Sequence, residues 1–345
     1  MKNWKKLLVL GLALLAFGGV LTACGNKNKS EDNKTAEAEK NQTDHLNIAT
    51  QPAPGYLPLT ILQDKGWLEE ALKEAGYDKV KVTFTEFESG PPENESFAAG
   101  QQDVGVMGNV PSIGGLAAGQ KRTFLGISTN GEKTEAVLVP LDSDIQKIED
   151  LKGKKIGLVV GSITQNLLYV LLDSVGLKLT DVELVNLGTA ELQEALANGQ
   201  VDAVATWQPM IAQLEASGTG KILADGTGLF LAENTVFSQD KYLEENPEIV
   251  KIFMQQYARA AKELKGNIDT YAAQYADKYG LEADLLKATL ESANFPILIT
   301  EKDTEDLQGT ADFLYGEKLV KQQVTIADHV DYSFSKDEKL LEYLK

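Results

Sequence analysis

The chain has 345 residues, 43% apolar and 24% charged, which is enough for two domains of ordinary size and rules out global disorder. Its 51 acidic residues against 33 lysines and arginines leave a net charge of −18, which excludes nucleic acid as a partner because phosphate binding needs a basic surface. With only His45, His329 and a single cysteine, the chain lacks the residues for a disulfide, a zinc site or a histidine-based nucleophilic triad, so no catalytic residue, metal or cofactor is expected.

The first 23 residues carry Lys2, Lys5 and Lys6, then an apolar run from Leu7 to Val20, then small residues before Cys24. That is the build of a secretory signal, and the run is shorter than the ~20 residues a membrane span needs. Leu21-Thr22-Ala23-Cys24 resembles a bacterial lipobox, in which the cysteine is lipidated and becomes the new N-terminus. Cleavage there would remove three positive charges and no acid, so the net charge would fall from −18 to −21. Residues 24–44, rich in Asn, Lys, Glu, Asp and Thr, are expected to be a disordered tether between the membrane and the folded part.

His45 to Thr50 reads as a first strand, followed by the loop Gln51 to Tyr56 and a helix beginning near Leu57. Val80 to Phe87 alternates apolar and polar residues as a second strand, and the loop Glu88 to Glu95 leads into a helix carrying Phe97. Gly100-Gln101-Gln102-Asp103 follows, then the apolar strand Val104 to Met107 and the loop Gly108 to Pro111. Two strands, Lys121 to Ser128 and Ala136 to Pro140, come next. From Lys154 the order of parts starts again: strand, the loop Gly161 to Asn166, helix, strand, loop, helix, Gly199-Gln200-Val201-Asp202, the strand Ala203 to Thr206, and Trp207-Gln208-Pro209. Short strands are expected at Lys221 to Ala224 and Asn234 to Ser238, and only helices after Asp240.

The two Gly-Gln-x-Asp units are the strongest sign of internal duplication. Gly100 and Gly199 fit the left-handed position that ends a helix, and Asp103 and Asp202 start strands too apolar to be half exposed. Alternating strands and helices imply an α/β fold with mostly parallel sheets, and in such sheets the loops after the strands form ligand crevices.

Gly90-Pro91-Pro92-x-Asn94-Glu95, Ala98-Ala99-Gly100-Gln101-x-Asp103-Val104-Gly105, Gly108-Asn109-Val110-Pro111, Asp150-Leu151-Lys152-Gly153-Lys154-Lys155-Ile156, Val160-Gly161-Ser162 and Val201-Asp202-Ala203 with Trp207-Gln208-Pro209 resemble the type II periplasmic binding proteins. The resembling branch serves ABC importers of aliphatic sulfonates, taurine, nitrate and thiamine precursors. The resemblance covers residues 46–345 and implies a two-lobed fold, each lobe a mostly parallel sheet flanked by helices, with the C-terminal helices packed on the first lobe. Lobe 1 is expected at 46–136 plus 237–345 and lobe 2 at 137–236, with strands near Glu135 to Pro140 and Asn234 to Ser238 crossing between them. It further implies a monomeric, lipid-anchored receptor that holds a small-molecule ligand and delivers it to an ABC permease and its ATPase. An alkanesulfonate is the first expectation; taurine, nitrate, a thiamine or riboflavin precursor, and a surface sensor without transport are alternatives. A fungal enzyme branch of the fold carries clustered cysteine and histidine, which this chain lacks.

The candidate ligand contacts lie on the crevice loops. Gly161, Ser162 and Thr164 stand at a helix start, whose free N–H groups and positive dipole end bind anions without a lysine or arginine. Ser89, Gly90, Gly108 and Asn109 occupy the corresponding loops of the first lobe, and Tyr56 and Trp207 offer rings. The only arginines, Arg122 and Arg259, are expected on the surface, and Glu93, Glu95, Glu132 and Glu135 in solvent, with room left for a ligand bearing an amine.

Overall fold

The computed structural model describes residues 43–345. The expected signal segment, the lipobox with Cys24 and all but the last two residues of the expected tether lie outside the described residues. Among those described, no helix is long and apolar enough to cross a membrane.

Two five-stranded sheets organise the chain. The first begins with β1 (His45–Thr50); α1 (Leu57–Lys65) and α2 (Trp67–Glu74) lead to β2 (Lys81–Glu86). Then come α3 (Gly90–Ala98), β3 (Val104–Gly108), α4 (Asn109–Ala117) and β4 (Arg122–Gly131). The second sheet starts with β5 (Glu135–Pro140) and continues through β6 (Lys155–Leu158), α5 (Ile163–Ser174), β7 (Glu183–Asn186), α6 (Thr189–Ala197), β8 (Ala203–Trp207), α7 (Met210–Ala216) and β9 (Gly220–Asp225). β10 (Ala232–Gln239) returns to the first sheet. Helices complete the chain: α8 (Asp240–Glu245), α9 (Pro247–Gly266), α10 (Ile268–Tyr275), α11 (Ala283–Glu291), α12 (Glu301–Gly316) and α13 (Glu338–Leu344).

The strand orders are β2-β1-β3-β10-β4 and β7-β6-β8-β5-β9. In each sheet the first three strands pair in parallel and the fourth is antiparallel to both neighbours, so four of the five strands point one way. β10 and β5 hold the same place in the two orders. The expectation that Glu135 to Pro140 and Asn234 to Ser238 would cross between lobes differs from what is observed. Each of those strands pairs along its length within one sheet, and the crossings are the short segments 132–134 and 226–231, joined by Gly226 N–H donating to the Glu132 carbonyl at 2.8 Å.

The duplicated turn does the same work twice. Gly100 and Gly199 are left-handed, at φ of 70° and 65°, where a side chain would be strained. Asp103 N–H donates to the Asn47 carbonyl at 2.9 Å while its carboxylate accepts from Asn47 N–H at 2.7 Å. Asp202 and Lys155 repeat this pair of bonds, both at 2.8 Å. Each aspartate thus clamps the start of the central strand to its neighbour and sets their register.

Arg122 overturns its surface expectation: it is 1% exposed, with its guanidinium 4.3 Å from the Phe237 ring centroid and 5.3 Å from that of Phe97. It donates to Asn94 Oδ1 at 2.9 Å and also to Gln120. The strand begins at Arg122 itself, so the side chain turns under α3 and α4 instead of following the exposed turn before it. Arg259 is half-buried on α9 with its guanidinium 3.8 Å from the Trp67 ring centroid. The C-terminal helices serve the first lobe: α9 packs on α1, α2 and α13, and α12 on α4.

Candidate functional site

A cavity of about 50 Å³ lies between the two lobes, where the ends of β3, β6 and β8 face the turn after β1. Ser162, the residue before α5, reaches it from the second lobe and is 3% exposed. Its hydroxyl is 2.9 Å from that of Thr164, and neither caps the helix start, so the first turn of α5 keeps its positive end toward the cavity. Gly90 and Gly108 line the opposite wall. A Cβ at Gly90 would lie 2.3 Å from the Pro111 ring, and one at Gly108 would lie 3.2 Å from Ile163. Glycine at 90 lets α3 start against the first turn of α4, and glycine at 108 lets the two lobes approach this closely.

Tyr56 is 4% exposed and donates from its hydroxyl to Asn234 Oδ1 at 2.7 Å, which ties the turn after β1 to β10. Trp207 is half-buried at the end of β8, directly across from Glu135 on β5. Residues opposite one another in an antiparallel pair project to the same face, and both line the cavity. Thr134 donates to the Glu135 carboxyl, and burial raises that carboxyl from its ordinary 4.5 to about 8.

Five of the nine candidates therefore share the cavity: Tyr56, Gly90, Gly108, Ser162 and Trp207. The other four stand beside it. Ser89 is buried as the residue before α3, Gly161 shapes the turn at φ 81°, and Thr164 is buried against Ser162. Asn109 turns away, because α4 begins there and its amide donates to Thr310 Oγ1 at 3.0 Å on α12. Asn166 of α5 donates to the same oxygen at 3.3 Å, so three helices from two lobes meet at Thr310.

Two of the four acids expected in solvent are buried, Glu93 at 0% and Glu135 at 4%, whereas Glu95 and Glu132 are exposed. Glu93 accepts from Gln51 at 2.7 Å, and burial raises it to about 8 against the opposing pull of Arg122. Gln51, Thr134, Gln208, Asn234 and Thr289 also line the cavity, none of them a sequence candidate. Gln51 and Gln208 sit in crevice loops and carry that much signal, but Thr289 comes from α11 and no local pattern points to it. No lysine, arginine or histidine lines the cavity among the described residues.

The profile of the family described as NMT1/THI5 like matches residues 54–269. A Bacillus subtilis protein named for aliphatic sulfonate binding is 33% identical over 94% of this chain and 95% of its own length. The taurine-binding periplasmic protein of Escherichia coli is 31% identical over 59% of this chain and 62% of its own. Among solved structures, the alkanesulfonate-binding protein SsuA of Xanthomonas axonopodis pv. citri bound to MOPS superposes with a TM-score of 0.76 at 29% identity, covering 84% of this chain and 99% of that one.

Proposed function

Since the chain belongs to the NMT1/THI5-like family, we propose that it is the extracytoplasmic receptor of an ABC importer, capturing a small organic anion, an aliphatic sulfonate first, between its lobes. One observation carries this reading: a small cavity between the lobes is lined by the start of α5 with Ser162 and by Gly90 and Gly108 opposite. A sulfonate takes the helix start with its free N–H groups and hydroxyls, so the cavity binds an anion without a lysine or arginine. Ligand binding and release make and break no bond, and the role is that of a receptor, not of an enzyme. Closure about the crossings 132–134 and 226–231 presents the loaded form, a monomer, to the permease.

Cys24 within Leu21-Thr22-Ala23-Cys24 is the proposed point of lipid attachment. Dual acylation there gives stable anchoring where one chain would not. Cys24→Ala should move the protein from the membrane fraction to the medium; retention in the membrane fraction overturns the anchor.

The test of the binding role is a thermal-shift series on the chain from Gly25 onward. Alkanesulfonates should raise the melting temperature, and nitrate and pyrimidines should not. Absence of a shift with every sulfonate would sink the assignment. Ser162→Ala and Trp207→Ala should each weaken sulfonate binding by about tenfold, the loss of one good hydrogen bond or packed ring, and leave the ligand-free melting temperature nearly unchanged.

A further inference from the structure

We propose that Glu135 contacts the sulfonate head as a neutral carboxylic acid, donating a hydrogen bond to it from Oε1. The inference rests on the sulfonate reading above and deepens it by naming a donor that serves where a lysine or arginine is missing.

Glu135 is the one acidic side chain lining the cavity and is 4% exposed, and no salt bridge reaches it among the described residues. An ionised carboxylate there would lack a cation and would repel the ligand, since little water is left to screen the two charges. The neutral acid removes both costs, and burial holds this carboxyl up at about 8, so it keeps its proton at neutral pH. Its hydrogen bonds decide where that proton points. Thr134 donates to Oε2, and Oε1 makes no hydrogen bond among the described residues. Oε1 of Glu93 and both carboxyl oxygens of Glu233 are also without a partner but are sealed in, whereas Oε1 of Glu135 is not. It is the oxygen open to the cavity and the place for the proton. A sulfonate is ionised and offers acceptors only, so it can bond to the acid and not to the carboxylate, and an O–H donated to an anion makes a strong, charge-assisted bond.

The sheet sets Glu135 and the α5 start on either side of one head. β6, which delivers that helix start, is separated from β5 by β8 alone. Two strand spacings amount to roughly 10 Å, and a hydrogen bond of about 3 Å on each side of the head takes up most of it. One sulfonate thus meets Ser162 and the α5 N–H groups on one side and Glu135 on the other, beside the Trp207 ring in register on β8. Few titratable groups surround Glu135. Tyr56, from the turn after β1, lines the same cavity and is held by burial well above its ordinary 10. Glu93 of α3 is bonded to Gln51 and also raised to about 8, Glu132 and Lys133 precede Glu135 and are exposed, and Asp225 on β9 pairs with Ala136, on the opposite face of the sheet. The α5 start, β8 and α11 bring no charged side chain to the cavity.

Titration calorimetry with ethanesulfonate between about pH 6.5 and about pH 9.5, in buffers of different ionisation enthalpy, tests the proposal. Binding that requires the protonated acid is constant well below the carboxyl's pKa and weakens as pH rises through it, because the proton must then be taken up with the ligand. Wild-type affinity should fall by at least about tenfold from about pH 7 to about pH 9.5, with most of a proton taken up per sulfonate at the upper end. An affinity that stays flat or rises overturns the proposal and leaves the sulfonate reading standing. Binding at no pH overturns both. Glu135→Gln keeps an N–H donor and has no proton to lose, so it should show neither the fall nor the uptake; a fall that persists in it overturns the proposal, since Glu93 would then be the titrating group. Glu135→Ala should bind about tenfold less tightly than Glu135→Gln at about pH 7, and equal affinity of the two variants overturns the hydrogen bond. The wild-type series needs no variant to fold.

Discussion

Glu93, Glu135 and Glu233 are each buried with no salt bridge among the described residues, and desolvation raises them from an ordinary 4.5 to about 8, about 8 and about 9. Both Glu233 carboxyl oxygens lack a hydrogen-bond partner; Asp303 and Asp306 push its pKa up further, and Lys302 only partly opposes them. For a carboxyl raised on folding, the native form keeps a proton that the unfolded chain has released, so stability declines as pH climbs from about 4.5 through the native value. The ligand-free melting temperature is expected to fall between about pH 5 and pH 9, and Glu233→Gln should flatten that decline. Calorimetric scans of the two proteins across this range check it, and parallel pH profiles would refute the role of Glu233. Local pattern misreads such residues. Glu93 is followed by Asn94 and Glu95, and Glu135 comes after Glu132-Lys133-Thr134, so each borders polar residues in the sequence, and their burial comes from the packing of α3 and β5 against distant elements. Arg122 was misread for the same reason: a charged residue after a glycine turn looks exposed until Phe97 and Phe237, from α3 and β10, close over it.

The repeated Gly-Gln-x-Asp turn connects a helix to a buried strand and, through its aspartate, locks that strand to the one beside it. Asp103→Ala and Asp202→Ala should each destabilise the protein by about 1 to 3 kcal/mol, because each leaves a strand-start N–H without its carboxylate acceptor. Asp103, the more buried of the two, should cost more. Urea unfolding measures both, and a loss confined to one copy would contradict the equivalence of the two turns. This part of the architecture was legible in the chain, since a left-handed glycine after a helical run and an apolar strand after an aspartate are local signals. The turns stand at the far ends of their strands; the loops at the other ends reach the cavity, and there the copies differ, with Gly108 in one and Trp207-Gln208 in the other.

At the scale of the molecule, the lobes are held in the observed arrangement by contacts outside the cavity. Asn109 and Asn166 both donate to Thr310 Oγ1, joining α4, α5 and α12. Thr310→Val keeps the shape and removes the acceptor, so this arrangement should be populated less and sulfonate affinity should fall by about tenfold with no change to any residue lining the cavity. Titration calorimetry reads that loss, and an unchanged affinity would show that the junction does not bias the lobes. The chain alone was sufficient for the duplicated strand-helix order, the clamped turns and the loops that border a crevice, because each follows from residues adjacent in sequence and from a glycine, proline or periodicity that acts locally. It was insufficient for the choice among those loop residues. Asn109 and Ser162 both stand at helix starts beside crevice loops, yet one reaches across to Thr310 and the other lines the cavity. Thr289 joins that cavity from a helix some fifty residues beyond the last strand, and Glu135 meets Trp207 only through the pairing of β5 with β8. Those placements depend on how separately formed elements pack together, and packing is a property of surfaces brought into contact by the fold, which no stretch of sequence contains by itself.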